Sequence, residues 1–122
     1  EERISTIASK VGELATLHNV DIVSIEDIFF AQNVSSAITV AKVIGAIIQQ
    51  LMGQHLEVAV FTPLQIKLAV TGFGTADKKQ VQEMVKLLLG LDKIPRPDHA
   101  ADSLAAAICL ASQVQSFRLK LH

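Results

Sequence analysis

Cysteine is nearly absent from the sequence, which has Cys109 as its single thiol among 122 residues. One cysteine excludes an internal disulfide framework and suits a reducing compartment. The chain shows no secretory signal pattern, and no stretch has the roughly 18 to 20 uncharged apolar residues that a membrane span needs. We therefore expect a cytoplasmic protein without a membrane segment.

Net charge is also nearly absent, because 11 Lys and Arg residues are balanced by 12 Asp and Glu residues. The net charge of −1 excludes a strong nonspecific attraction to nucleic acid, so any DNA binding must come from a local arrangement of residues. Hydrophobic residues make up 50% of the chain and charged residues 19%. A single domain of this length can bury a core, and the apolar excess predicts a further buried interface.

The spacing of apolar residues indicates alternating helices and strands. Apolar residues at intervals of three and four predict helices, and short β-branched runs predict strands. Thr62 and Pro63 are a typical cap and first-turn pair, and Asp98 is expected to cap the last helix. The predicted helices cover residues 3–18, 35–52, 63–70, 77–89 and 98–113, and the predicted strands cover 21–25 and 57–61.

This order of elements is typical of an α/β fold with parallel strands and flanking helices. A two-stranded parallel sheet is too small to be stable alone, so we expect residues 1–122 to form a single, incomplete domain that lacks amino-terminal strands. The helix over 35–52 is apolar on more than one face. One face can cover the sheet, and the other predicts contact with a second chain.

Three titratable residues near the start of the last helix and one at a strand end are candidates for chemistry. Glu26 directly follows the predicted first strand, and sites in open parallel sheets lie at such strand ends, although a residue there can simply be solvated. His99 and Asp102 share a helix face, and Asp98 lies four residues before Asp102. Like charges at that spacing require water or a cation. Alternatively, Asp98 is only a cap that favours the helix dipole.

Three blocks of sequence carry a specific resemblance. They are SIEDIFFAQNVSSAITVAKVIGAI, PLQIKLAVTGFGTADKKQVQEMV and PDHAADSLAAAI, at residues 24–47, 63–85 and 97–108. In this order and spacing they resemble the RuvC family of Holliday-junction resolvases. The resemblance implies an RNase H-like fold, a homodimer and a magnesium-dependent endonuclease that nicks four-way DNA junctions symmetrically. It also implies a branch-migration helicase complex as a partner.

The resemblance further implies catalytic and metal-binding roles for three residues. Glu26 and Asp102 match acids of a site for two Mg²⁺ ions, and His99 matches a position that is acidic in some members. A histidine ligand favours Mn²⁺ over Mg²⁺ relative to an all-oxygen site. The leading aspartate of the family has no counterpart in residues 1–122, so we expect this chain by itself not to cut junctions.

The same resemblance implies DNA contacts. Phe29 matches an aromatic residue placed against unstacked bases, and Lys67 and Lys78 match basic residues that support activity and contact the DNA backbone. Without the resemblance, Phe29 would be a core residue and the lysines would be solvated. Residues 72–74, GFG, predict a flexible loop rather than a nucleotide cradle. Two other functions stay open: a noncatalytic dimeric DNA-binding remnant, and an unrelated α/β small-molecule binder.

Overall fold

A computed structural model describes residues 1–27 and 34–121, with side chains through residue 115. The described part divides into two compact units, Glu1–Val60 and Phe61–His122. The elements, in chain order, are α1 (Glu2–Leu17), β1 (Ile22–Glu26), α2 (Val34–Gly53), β2 (Glu57–Phe61), α3 (Pro63–Thr71), α4 (Lys78–Leu89) and α5 (Asp98–Leu121).

The first unit contains the sheet. Strands β1 and β2 are hydrogen-bonded neighbours in a two-stranded parallel sheet, and α2 is the connection between them. The backbone N–H of Glu57 donates to the carbonyl of Asp21 at 3.3 Å, just before β1 begins. The predicted strands and the predicted α/β class are thus confirmed, with β1 displaced by one residue from its expected start.

Helix α1 packs on α2 around Gly12, which is buried. Gln54 Nε2 donates to the Gly12 carbonyl and to Thr16 Oγ1, both at 3.1 Å. Gln50 Nε2 donates to Gln54 Oε1 at 2.8 Å. A methyl group on Gly12 would collide with Gln54 Oε1, so the missing side chain lets this amide reach the α1 backbone.

Much of α2 is uncovered by the described residues. Leu51 is its one buried side chain among them, and Ile44 and Ile48 are half-buried. Val34, Ile38 and Met52 are 75%, 51% and 62% exposed. This apolar surface, the α2 stripe (Val34, Ile38, Met52), agrees with the prediction that one face of the helix packs within the chain while another faces elsewhere.

By length and composition, α2 also meets the requirement for a membrane span. Core helices of soluble proteins pass the same test, so one such helix is weak evidence. Lys42 interrupts the uncharged run of α2, and polar residues lie near both ends of the helix, which disfavours a membrane span.

The second unit is a cluster of three helices, in which α3, α4 and α5 pack on one another. Reciprocal hydrogen bonds cap two of them: Thr62 with Gln65 at α3, and Asp77 with Gln80 at α4. The predicted cap and first-turn pair at Thr62 and Pro63 is therefore confirmed. Both helices end on a glycine with positive φ.

The inner face of α5 is built from small residues. Ala101, Ala105, Ala106 and Cys109 are each at most 4% exposed. The Cys109 thiol lies 3.9 Å from the carbonyl of Gln65, and burial raises its pKa, which disfavours the reactive thiolate. Cys109 is therefore a buried, unreactive part of the helix packing.

Helix α5 differs from expectation at both ends. It continues to Leu121 instead of ending near Gln113, because residues 114–121 contain neither Gly nor Pro to stop it. At its start, Asp98 is the first helical residue instead of a cap, and its carboxylate is engaged by α4.

Candidate functional site

The first turn of α5 carries an acid that is joined to α4. Asp98 Oδ2 lies 3.4 Å from Lys78 Nζ, and Asp98 Oδ1 accepts a hydrogen bond from Gln82 Nε2 at 3.4 Å. The Lys78 and Asp98 side chains are 58% and 57% exposed, so the pair is worth little energetically. Asp98 is thus partly neutralised by the protein itself.

His99 and Asp102, unlike Asp98, make no side-chain contact of this kind with α4, all of whose residues the structure describes. They lie three residues apart on α5 and so share a face. His99 is exposed and Asp102 is half-buried between the buried Ala101 and Ala105. Within residues 1–27 and 34–121, neither side chain has a hydrogen bond or ion pair to another residue. A half-buried carboxylate beside an imidazole, both without protein partners there, is suited to an external cation.

Glu26 is the last residue of β1 and is half-buried. The strand end therefore lies where the sequence predicted. Glu26 belongs to the first compact unit and the His99–Asp102 pair to the second. Within the described residues, no group of three or more His, Cys, Asp or Glu side chains is close enough to hold a metal ion. The three-residue metal set stays a prediction.

The two candidate DNA-binding lysines lie on consecutive helices of the second unit. Lys67 is half-buried on α3, and Lys78 is the first residue of α4, directly after the Asp77 cap. Lys67 has no acidic partner in the described part of the chain, whereas Lys78 has Asp98. Phe29 lies outside the described residues, so its predicted stacking role stays a prediction.

Sequence reasoning missed one feature beside these lysines. Phe73, between Gly72 and Gly74, is 69% exposed, and its backbone N–H donates a hydrogen bond to Thr71 Oγ1. The signal in the sequence was an aromatic residue between two glycines, with lysines on both sides. The sequence by itself predicts only a flexible loop at residues 72–74.

The sequence matches the family model for crossover junction endodeoxyribonuclease RuvC over residues 1–110. The chain belongs to the RuvC family. It is 43% identical over 107 residues to the RuvC of Caldicellulosiruptor saccharolyticus, which covers 88% of this chain and 64% of that protein. Against the RuvC of Thermosipho melanesiensis it is 46% identical over 114 residues, covering 93% of this chain and 73% of the relative. The chain therefore spans about two thirds of the length of these relatives.

Solved RuvC structures share the fold. A Thermus thermophilus RuvC structure matches with a TM-score of 0.85 and 33% identity, covering 94% of this chain and 69% of that one. The T. thermophilus RuvC in complex with a Holliday junction substrate matches with a TM-score of 0.83 and 34% identity. The match covers 90% of this chain and 67% of that one. The fold is thus RNase H-like, as predicted, and the alternative of an unrelated α/β small-molecule binder is excluded.

Proposed function

We propose that the protein is a structure-specific endonuclease that nicks four-way DNA junctions symmetrically in DNA recombination and repair. The observation that carries this proposal is the match to crossover junction endodeoxyribonucleases over residues 1–110, a range that contains Glu26, His99 and Asp102 together with both lysines. The structural likeness to a RuvC bound to a Holliday junction substrate supports branched DNA as the ligand.

In this proposal Glu26, His99 and Asp102 hold two divalent ions. The fit rests on the chemistry of the donors: two carboxylates suit Mg²⁺, the imidazole tolerates Mn²⁺, and Asp98 is already occupied by Lys78 and Gln82. When bound, the ions would activate a water molecule and stabilise the leaving oxygen of an in-line phosphodiester displacement. Two carboxylates are few for two ions, so we expect a further acid to be required for cutting.

The remaining residues would position the DNA. Lys67 and Lys78 are placed to bind backbone phosphates, and Phe29 would stack on unpaired bases at the branch point. For Lys78 this means exchanging Asp98 for a phosphate oxygen. Since the Lys78–Asp98 pair is more than half exposed, that exchange costs little.

Symmetric nicking needs two active sites at a fixed separation, which a two-fold dimer provides. We propose that two chains associate through the α2 stripe, because its apolar side chains are exposed in the chain alone. A cytoplasmic location and a branch-migration helicase complex as partner complete the proposal, and both follow from the family resemblance.

The proposal is tested with the full-length protein and a synthetic four-way junction labelled on each strand. We expect paired nicks at symmetric positions with Mg²⁺ or Mn²⁺, no nicks with EDTA, and no cutting of a linear duplex of the same sequence. Tight junction binding without nicks in either metal would instead identify a noncatalytic DNA-binding protein. Equal affinity for junction and duplex would contradict both functions.

A further inference from the structure

A cleft of about 550 Å³ lies between the loop that follows α3 and the first two turns of α4. Its walls include an aromatic ring, a thioether and polar side chains without any acid. The lining residues are Thr71, Phe73, Thr75, Ala76, Gln80 and Met84.

Phe73 is exposed but its backbone is held in place. The Phe73 N–H donates to Thr71 Oγ1 at 3.1 Å, and the Thr71 hydroxyl donates to the carbonyl of Lys67 at 2.7 Å. The Ala76 N–H donates to the Phe73 carbonyl at 3.2 Å. A ring that is 69% exposed on such a backbone can stack on a ligand without a large further loss of backbone entropy.

Gln80 provides a hydrogen-bond donor at the same cleft. Its Oε1 atom accepts from the Asp77 N–H at 2.8 Å in the capping box of α4. This bond fixes the orientation of the amide. The Nε2 group has no partner among the described residues, so its two N–H groups are available to a planar ligand with an acceptor edge.

The two lysines bracket this cleft along the chain. Lys67 lies in the middle of α3, and its carbonyl accepts a hydrogen bond from the hydroxyl of Thr71, the last residue of the helix. Lys78 lies two residues before Gln80 at the start of α4. Neither lysine lines the cleft itself, but each lies on a helix next to it. Surfaces that bind unpaired nucleotides typically combine an aromatic platform with nearby cations, because bases stack while phosphates contact the ammonium groups.

We propose that this cleft binds one unpaired nucleobase, stacked on Phe73 with its acceptor edge toward Gln80 Nε2. The inference rests on the proposed function for its substrate, and assigns the cleft to a base at or next to the branch point of a junction. A larger cleft of about 720 Å³ lies along α4, but it is lined by two acids and two lysines and has no aromatic ring on which a base could stack.

The test uses 2-aminopurine, a fluorescent base that is quenched by stacking, placed at the branch point of a four-way junction and, separately, in a single-stranded oligonucleotide. With the full-length protein we expect quenching on binding. Phe73→Ala should reduce that quenching, leaving at the junction only the part due to Phe29, and should weaken binding to both probes by about tenfold, the effect of losing one aromatic stacking partner. Phe73→Trp should restore both.

Gln80→Glu tests the donor without removing the helix cap, since a glutamate oxygen still accepts from the Asp77 N–H. Binding should weaken several-fold and the loss should persist at raised salt. Gln113→Glu, an exposed site on α5 in the same unit, is the matched control for the added charge and should have no effect that survives raised salt.

Unchanged quenching and affinity in Phe73→Ala would overturn the proposal, as would equal behaviour of Gln80→Glu and Gln113→Glu. The single-stranded probe separates this test from that of the nuclease. A protein without junction preference whose Phe73 still quenches the single strand would contradict the proposed function while supporting the base-binding cleft.

Discussion

Lys78 Nζ lies 3.4 Å from Asp98 Oδ2, and this contact joins the start of α4 to the start of α5. A lysine expected to bind a DNA phosphate is therefore already next to an acid when DNA is absent. Asp98 in turn is one residue from His99 and four from Asp102, the residues expected to bind metal. Asp98 is consequently expected to modulate DNA binding instead of binding an ion.

Replacing Asp98 by Asn should tighten junction binding while leaving metal-dependent cutting in place. The exposed pair is worth about 0.2–1 kcal/mol, so the dissociation constant at low salt should fall by up to about fivefold. Glu83→Gln changes the net charge equally, on a residue without an ion pair in the described part of α4. The increase in junction affinity should be larger for Asp98→Asn than for Glu83→Gln. Loss of cutting in Asp98→Asn would show that Asp98 is a metal ligand.

Glu26→Gln and Asp102→Asn should each abolish cutting by the full-length protein, because a neutral amide replaces a carboxylate that binds the ions. Junction affinity, measured by gel shift in Ca²⁺ or EDTA, should change by less than about threefold. Asp92→Asn, an exposed acid on the connector before α5, is the control and should cut normally. A fully active Glu26→Gln/Asp102→Asn double variant would remove both residues from the site.

His99 should set the preference between metals. With a histidine among the donors, cutting should be faster in Mn²⁺ than in Mg²⁺ at equal concentration. His99→Asp supplies an oxygen ligand and should shift the ratio of the two rates toward Mg²⁺. His99→Ala is the companion variant, and an unchanged metal ratio in both would show that His99 is not a ligand.

Gly12→Ala should lower the free energy of unfolding by about 1–2 kcal/mol, even though alanine is the better helix former. The added methyl displaces Gln54 from the α1 backbone and breaks its hydrogen bonds to Gly12 and Thr16. In a Gln54→Ala background the same change should be neutral or stabilising. Denaturant unfolding of the four proteins measures the difference, and equal effects in both backgrounds would contradict this account of α1 packing.

Ile38→Asp should dissociate the proposed dimer. Ile38 is 51% exposed, so a charge there should be tolerated by the folded chain but not by an apolar interface between chains. Sedimentation at micromolar concentration should give twice the chain mass for the native protein and the single mass for the variant. Ile44 and Ile48 are half-buried, so charges there would also disturb the fold. A native protein that sediments as a monomer would rule out this assembly.

The sequence predicted most element boundaries within one or two residues, because local signals specify them. Thr62, Pro63, Asp77 and Gly90 stop or start helices through their own backbone and cap chemistry. The contact of Lys78 with Asp98 had no such signal, since the two residues are distant in sequence and meet only when α4 packs on α5. The cleft at Phe73 had no local signal either, because Gln80 and Met84 of α4 form the wall that faces the loop.

The alanine face of α5 has a consequence for the candidate metal-binding residues on the same helix. Ala101, Ala105 and Ala106 let α5 approach its neighbours closely, and helix spacing depends on the side chains at the contact. A larger residue at Ala105 would push the helix outward and carry Asp102 and His99 with it. The position of two chemically important side chains is thus controlled by uncharged methyl groups within one turn of them on the same helix.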